Sequence, residues 1–294
     1  MTELSSATPI WTRYVAIGDS FTEGLWDVGP DDDTRCRGWA DILAAHLSTR
    51  RTTAGAAPLE YANLAIRGRL LGPILTEQLP TALTLEPDLV SVIGGGNDIL
   101  RPTVDIDELA GRLEAAVIQL RATGADVLLS TGMNPADSAL MRRTKHRVGL
   151  YNSYVWSIGR RYGAHVLDLW GMQSLHDWRM WSEDRIHLTT DGHARVAQAA
   201  LVGLGLVPDD AAWDDPLSPL PPVPRLERAM ADAVWLREHV YPWATRRLRN
   251  RSSGDLRTPK RPDLGPVGPL EVVGERTVGE RTVGGPARAA GSAG

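Results

Sequence analysis

The sequence predicts an α/β protein with a doubly wound, parallel sheet of five strands. Short apolar runs alternate with longer amphipathic ones in a repeated β-α order through residues 12–204. Several short runs are almost continuously apolar, as strands buried on both faces of a parallel sheet are. The chain has 294 residues, 43% of them apolar and 23% charged, enough for a sizeable core.

The strands are read at residues 14–17, 59–63, 89–93, 127–130 and 166–169, mostly β-branched or Leu-rich and bounded by turn residues. Between them lie helical patterns. Residues 39–47 place apolar side chains at 39, 42, 43 and 47, and residues 74–83 form a second helix after a Gly-Pro pair. Residues 106–120 carry Leu109, Leu113, Val117 and Leu120 on one face, with Asp105 or Asp107 as N-cap. Residues 136–162 are helical in their second half at least, and 191–204 follow a Thr-Thr-Asp-Gly cap. In such sheets ligands bind beyond the carboxyl ends of the strands, so those loops are the place to look for chemistry.

Other features narrow the function. The net charge of −4 excludes a whole-protein basic field for nucleic acid. A single cysteine, Cys36, excludes an intrachain disulfide scaffold and a Cys-rich zinc site. The N-terminal residues lack a basic stretch followed by an apolar run, and no run approaches the ~18 residues of a membrane span. A cytoplasmic protein is therefore expected.

Composition changes near residue 207. Residues 1–206 read as one domain, and 207–294 hold 12 of the 20 prolines. Residues 207–224 read as a Pro-rich linker and 225–250 as an amphipathic helix that Pro242 kinks or ends. Residues 251–294, with the tandem Gly-Glu-Arg-Thr-Val at 274–283, read as disordered. The basic tail reads first as a solvated end and second as a membrane-surface or partner-binding helix with Trp235 and Trp243.

Four segments at predicted strand ends could carry chemistry. Gly18-Asp19-Ser20 puts a serine on a strand-to-helix turn, where its hydroxyl and backbone N–H face the same space; by itself Asp-Ser reads first as a helix cap. Gly94-Gly95-Gly96-Asn97-Asp98 lets a ligand approach backbone and offers an Asn amide to a developing oxyanion, or is an ordinary Gly-rich turn. It lacks the Lys-Ser/Thr of a phosphate-binding loop. In Asp184-Arg185-Ile186-His187 the Asp reaches the imidazole within one turn and orients it; otherwise His187 is a capping or surface residue. The segment 63–68 ends on Gly68, whose N–H could point at the same place. Together they supply the nucleophile, oxyanion donors, base and orienter that acyl transfer needs.

These blocks, in this order and at compatible spacing over residues 12–204, resemble the SGNH (GDSL-type) hydrolase superfamily. The words Phe-Thr-Glu-Gly-Leu and Ile-His-Leu-Thr-Thr-Asp-Gly-His are similar to its actinobacterial lysophospholipase-L1-like branch. The resemblance implies a three-layer, flavodoxin-like α/β/α sandwich without metal or cofactor. It implies Ser20 as nucleophile, His187 as base and Asp184 as its orienter, with the N–H groups of Ser20 and Gly68 and the side chain of Asn97 as oxyanion hole. The expected activity is ester hydrolysis of a small-molecule acyl ester through an acyl-enzyme. Carbohydrate O-deacetylation or acyl transfer by the same residues is the alternative, and a non-catalytic scaffold acting through the C-terminal helix is the alternative of another class.

Secondary features carry weaker expectations. His193 reads as a packing or capping residue, and the remaining histidines lack metal-ligand spacing. Asp31-Asp32-Asp33 reads as a solvated loop. Trp26, Trp178 and Trp181 are core residues or pocket walls, and the loop 23–38 is a candidate for shaping the substrate entrance.

Overall fold

The computed structural model describes residues 11–27, 36–134, 141–241, 245 and 254–268. Its strands are β1 (Arg13–Gly18), β2 (Glu60–Asn63), β3 (Leu89–Ile93), β4 (Asp126–Ser130), β5 (His165–Leu167) and β6 (Arg261–Pro266). They form one sheet in the order β5-β4-β3-β1-β2-β6. The first five are mutually parallel, and β6 pairs antiparallel with β2 at the edge.

Alternation along the strands divides the core between two faces. Tyr14, Ala16, Leu128 and Leu167 point to one side, where α2 (Trp39–Thr53) and α8 (Thr190–Gly203) pack through Trp39, Leu43, Leu47, Val196 and Leu201. Val15, Ile17, Val90, Val92, Val127 and Leu129 point to the other. There α6 (Ile106–Ala122) and α7 (Lys145–Tyr162) bury Leu113, Val117, Leu120, Tyr151 and Val155. The result is the three-layer α/β/α sandwich that the resemblance implies.

Capping chemistry sets several helix ends. Asp105 accepts from the N–H groups of Asp107 and Glu108 and starts α6. The cap of α8 is Thr189, whose hydroxyl accepts from Gly192 N–H, so Asp191 lies inside the first turn. Gly163 ends α7 in the left-handed conformation, φ +64°, that glycine adopts without strain. The helix expected at 74–83 runs from 71 to 84 as α3 (Leu71–Pro73), a π-turn (Ile74–Gln78) and α4 (Leu79–Thr84). The start of the pattern expected at 136–162 lies partly outside the described residues.

The sixth strand corrects the expected count of five, and it comes from the stretch read as disordered. Pro262, Gly265 and Pro266 carry no alternating apolar pattern, which is why the sequence reads as a loop there. At a sheet edge only one side of the strand needs donors, so proline is tolerated. Side chains fix this strand. Arg261 donates to the carbonyls of Tyr61 and Gly265, and Ser48 donates to the carbonyl of Val267. Residues 216–224 are extended and largely exposed, and α9 (Arg225–Trp235) with a π-turn (Leu236–Val240) follows. The repeat at 274–283 and the expected helix end at Pro242 lie outside the described residues. Among the described residues no helix is long and apolar enough to cross a membrane.

Candidate active site

Strand order reverses beside β1, which lies between β2 and β3, and the crevice at its carboxyl end holds the predicted residues. Ser20 opens the short helix α1 (Ser20–Glu23), whose cap is Asp19, accepting from Phe21 N–H at 3.0 Å. Capping and presentation of the serine thus coexist in one turn. Space here is tight: a Cβ on Gly18 would come within 2.5 Å of Thr22 Oγ1 and 2.6 Å of the Ile93 carbonyl. Gln78 clamps the same turn through both halves of its amide. It accepts from Gly18 N–H at 2.8 Å and donates to the Gly18 carbonyl at 3.0 Å. The π-turn carries Gln78 to this position, and such insertions are frequent at functional sites.

His187, 167 residues along the chain, brings Nε2 to 2.8 Å from Ser20 Oγ. Its Nδ1 lies 2.6 Å from Asp184 Oδ2. A carboxylate accepts, so Nδ1 carries the proton and Nε2 is left to accept from the serine hydroxyl. The second oxygen of Asp184 accepts from Ser182 Oγ at 2.7 Å and from the N–H groups of Ile186 and His187 at 3.0 Å. Burial pushes the Asp184 carboxyl up, but the His187 partner and these donors outweigh it and hold the group well below the usual carboxylate range. Arg185, between the two, has φ +58°, a conformation unusual for a side chain of this size.

Asn97 lies on α5 (Gly96–Ile99), directly after β3. Gly95 precedes it at φ +94°, with the Tyr151 hydroxyl 2.9 Å from where a Cβ would stand. The Asn97 amide donates to Asp19 Oδ2 at 3.1 Å and to the Arg69 carbonyl at 3.0 Å. It therefore ties together the turn of Ser20 and the turn that holds Gly68, φ +74°. Burial pushes the Asp19 carboxyl up to about 6, against the lowering influence of the Phe21 N–H and His187. Asp98 caps elsewhere: its carboxylate accepts from Leu71 N–H at 2.9 Å and starts α3. Glu23 and Arg67 form a buried ion pair that joins α1 to the same turn.

Ser20, His187 and Asn97 line one cavity of about 220 Å³. Its wall is mostly apolar, with Ile99, Leu100, Met133, Val148, Leu175 and Trp181 among the contributors. Trp178 belongs to it as well, but Trp26 does not, and neither do the described residues of 23–38 beyond the serine helix. The Asp31–Asp33 segment lies outside the described residues. His193 is buried on α8 and accepts the Trp39 N–H at 3.2 Å, which makes it a cap for α2. Among the described residues no cluster of three or more His, Cys, Asp or Glu could hold a metal ion.

The family profile described as GDSL-like lipase/acylhydrolase matches residues 16–195, more than half of the chain. The chain belongs to this family. No curated protein sequence matches it significantly. Its architecture is similar to that of several solved structures. A variant of an acetyl xylan esterase from Geobacillus stearothermophilus superposes with a TM-score of 0.57 at 19% identity, over 72% of this chain and 100% of that one. LAE5, an alpha/beta hydrolase enzyme from the metagenome of Lake Arreo, gives 0.53 at 22% identity over 66% and 96%. TesA gives 0.51 at 23% identity over 65% and 97%. At these identities the likeness concerns the fold.

Sequence reasoning missed Gln78, the Glu23–Arg67 pair and everything that the C-terminal segment brings to the site. Gln78 sits in an ordinary helical pattern, and only the one-residue π insertion turns it toward β1. The segment is Pro-rich and basic, and nothing in its pattern signals docking. Yet Lys260 donates to the carbonyls of Glu23 and Cys36 and pairs with Asp41, bracing the end of the helix that opens on Ser20. Trp235 on α9 donates its indole N–H to the Asp184 carbonyl at 2.8 Å.

Proposed function

We propose that the protein is a serine ester hydrolase that works through an acyl-enzyme on Ser20. The observation that carries this reading is the continuous hydrogen-bonded chain Ser20–His187–Asp184, at 2.8 and 2.6 Å. Ser20 Oγ attacks the ester carbonyl as His187 Nε2 takes its proton, and the carbonyl oxygen becomes an oxyanion. The N–H of Ser20, at the first helical position where no intrahelical acceptor exists, is one donor to it. Gly68 N–H and the Asn97 amide are the other two. Asn97 serves once one of its hydrogens turns from Asp19 or Arg69 toward the oxyanion. Collapse of the intermediate breaks the ester C–O bond, and the alcohol leaves with the proton from His187. Water, deprotonated by His187, then releases the acid and restores Ser20. Asp184 keeps the imidazole in the tautomer these steps require.

The apolar cavity beside Ser20 favours an acyl chain longer than acetyl. This weighs against a carbohydrate deacetylase, although one structural neighbour is a variant of an acetyl xylan esterase. Hydrolysis of nitrophenyl esters from acetyl to palmitoyl tests both points. The expected result is a rate maximum at an intermediate chain length and loss of at least ~10³-fold in Ser20→Ala. A maximum at acetyl would favour the deacetylase. Equal turnover by Ser20→Ala would end the serine mechanism.

A further inference from the structure

The helix α9 is amphipathic in the reverse sense. Asp232, Trp235 and His239, spaced i, i+3, i+7, occupy one side. Of these, Asp232 pairs with Arg185 at 2.6 Å and the Trp235 indole reaches the Asp184 carbonyl. The Arg185 guanidinium lies 5.0 Å from the Trp235 ring centre and 5.9 Å from that of Trp178. The other side carries Leu226, Met230, Val234 and Tyr241, at 74%, 64%, 48% and 69% exposure. A surface helix normally turns its apolar stripe to the core. Here polar contacts hold the helix down and the apolar stripe faces out.

We propose that this outward stripe is a docking surface for an anionic lipid–water interface. This rests on the acyl-ester reading of the site. Two observations choose that occupant. Arg185, which seats α9, lines the apolar cavity at Ser20 together with Trp178, against which it lies, so the helix that bears the stripe stands beside the site. The second is charge. Leaving aside Lys260 and Arg261, which bind the core, residues 225–257 carry eight Arg against four Asp or Glu, in a chain whose net charge is −4. An apolar helix face within a basic segment is the combination that lies in the headgroup region of anionic membranes. A protein partner or a second copy would use the stripe but has no need of the basic excess.

The test uses the full chain carrying Ser20→Ala, so that binding is read without turnover. It is sedimented with vesicles of phosphatidylglycerol and phosphatidylcholine, and with phosphatidylcholine alone. The expected result is binding to the anionic vesicles that weakens as salt rises. Adding Leu226→Ser, Met230→Ser and Val234→Ser should weaken it about tenfold or more. The same three changes on the Ser20 chain should leave hydrolysis of a water-soluble short ester unchanged. The proposal falls if the parent chain binds no vesicle, or if the three changes leave binding intact. It also falls if sedimentation velocity shows a dimer that they dissociate while vesicles are ignored. Failure here leaves the nitrophenyl assay, and the hydrolase reading with it, untouched.

Discussion

The two halves of the catalytic chain are held in different ways. The nucleophile turn hangs from β1, the most enclosed parallel strand, whose Val15, Ala16 and Ile17 have no exposed surface. Its position follows from close packing around Gly18 and from the Gln78 clamp. The loop of Asp184 and His187 follows no strand directly. Its regular features are a single bridge between Trp181 and Leu188 and the hydrogen bonds that Asp184 gathers from its own loop. On its outer side it meets α9. The serine is thus placed by the core, and the histidine by a polar network whose last members come from beyond the Pro-rich linker. A site built this way can keep its nucleophile rigid while the base depends on a peripheral segment.

Substitutions can break this contrast in order of expected effect. Asp184→Asn keeps the shape of the loop but removes the carboxylate that fixes the imidazole tautomer. It should lower kcat by ~10³–10⁴-fold with little change in KM, measured on a soluble nitrophenyl ester. Asn97→Ala removes one oxyanion donor and should lower kcat by ~10²–10³-fold. Gln78→Leu leaves the Gly18 N–H buried without its partner, while the Gly18 carbonyl keeps the N–H of Ile66 at 3.2 Å. About 1–3 kcal/mol of stability should be lost, readable in urea denaturation, together with part of kcat. Trp235→Phe keeps a ring against Arg185 but deletes the hydrogen bond to the Asp184 carbonyl. A fall in kcat of roughly three- to tenfold, from loss of about one hydrogen bond, is expected. An unchanged kcat would mean that the triad loop supports itself and that the contrast is overdrawn.

The two carboxylates also oppose one another in pH. Asp19 is raised to about 6, so its folded state holds a proton that the unfolded chain gives up near pH 4. The stability this provides is present below pH 4 and is lost as pH rises toward 6. Asp184 is held below its ordinary value, so its stability is present above about pH 4 and is lost on acidification. Thermal unfolding between pH 3 and 7 should therefore respond in opposite directions to the two amides. Asp19→Asn should reduce the loss on raising the pH, and Asp184→Asn should reduce the loss on lowering it. If both variants tracked the parent curve, other groups would govern its pH dependence.

Much of the fold was legible because local chemistry and global architecture agree. Strands such as 89–93 are short and apolar, and the repeat along 106–120 can only be a helix face. The candidate site was legible for related reasons: Ser20, Gly68 and Asn97 sit a few positions after a strand, and Asp184 and His187 stand three residues apart, a spacing that by itself brings carboxylate and imidazole together. The π-turn was not, since one inserted residue leaves the apolar pattern of 74–83 readable as a plain helix. Neither were β6 and the docking of α9. Their residues are prolines, glycines and charges, whose partners are backbone carbonyls and carboxylates on distant elements.

The sequence by itself therefore determined the parallel sheet and its layers and pointed to Ser20, Asn97, Asp184 and His187, because periodicity, strand-end position and the three-residue spacing of Asp184 and His187 are local properties. Only the tertiary structure decided that Gln78 clamps the serine turn and that Lys260 braces it. It also decided that a sixth strand closes the edge beside β2 and that α9 faces its apolar side outward. Those features depend on single polar contacts between residues far apart in the chain. Such contacts leave no periodic trace, since a lysine that binds two carbonyls looks, in sequence, like any lysine on a solvated surface.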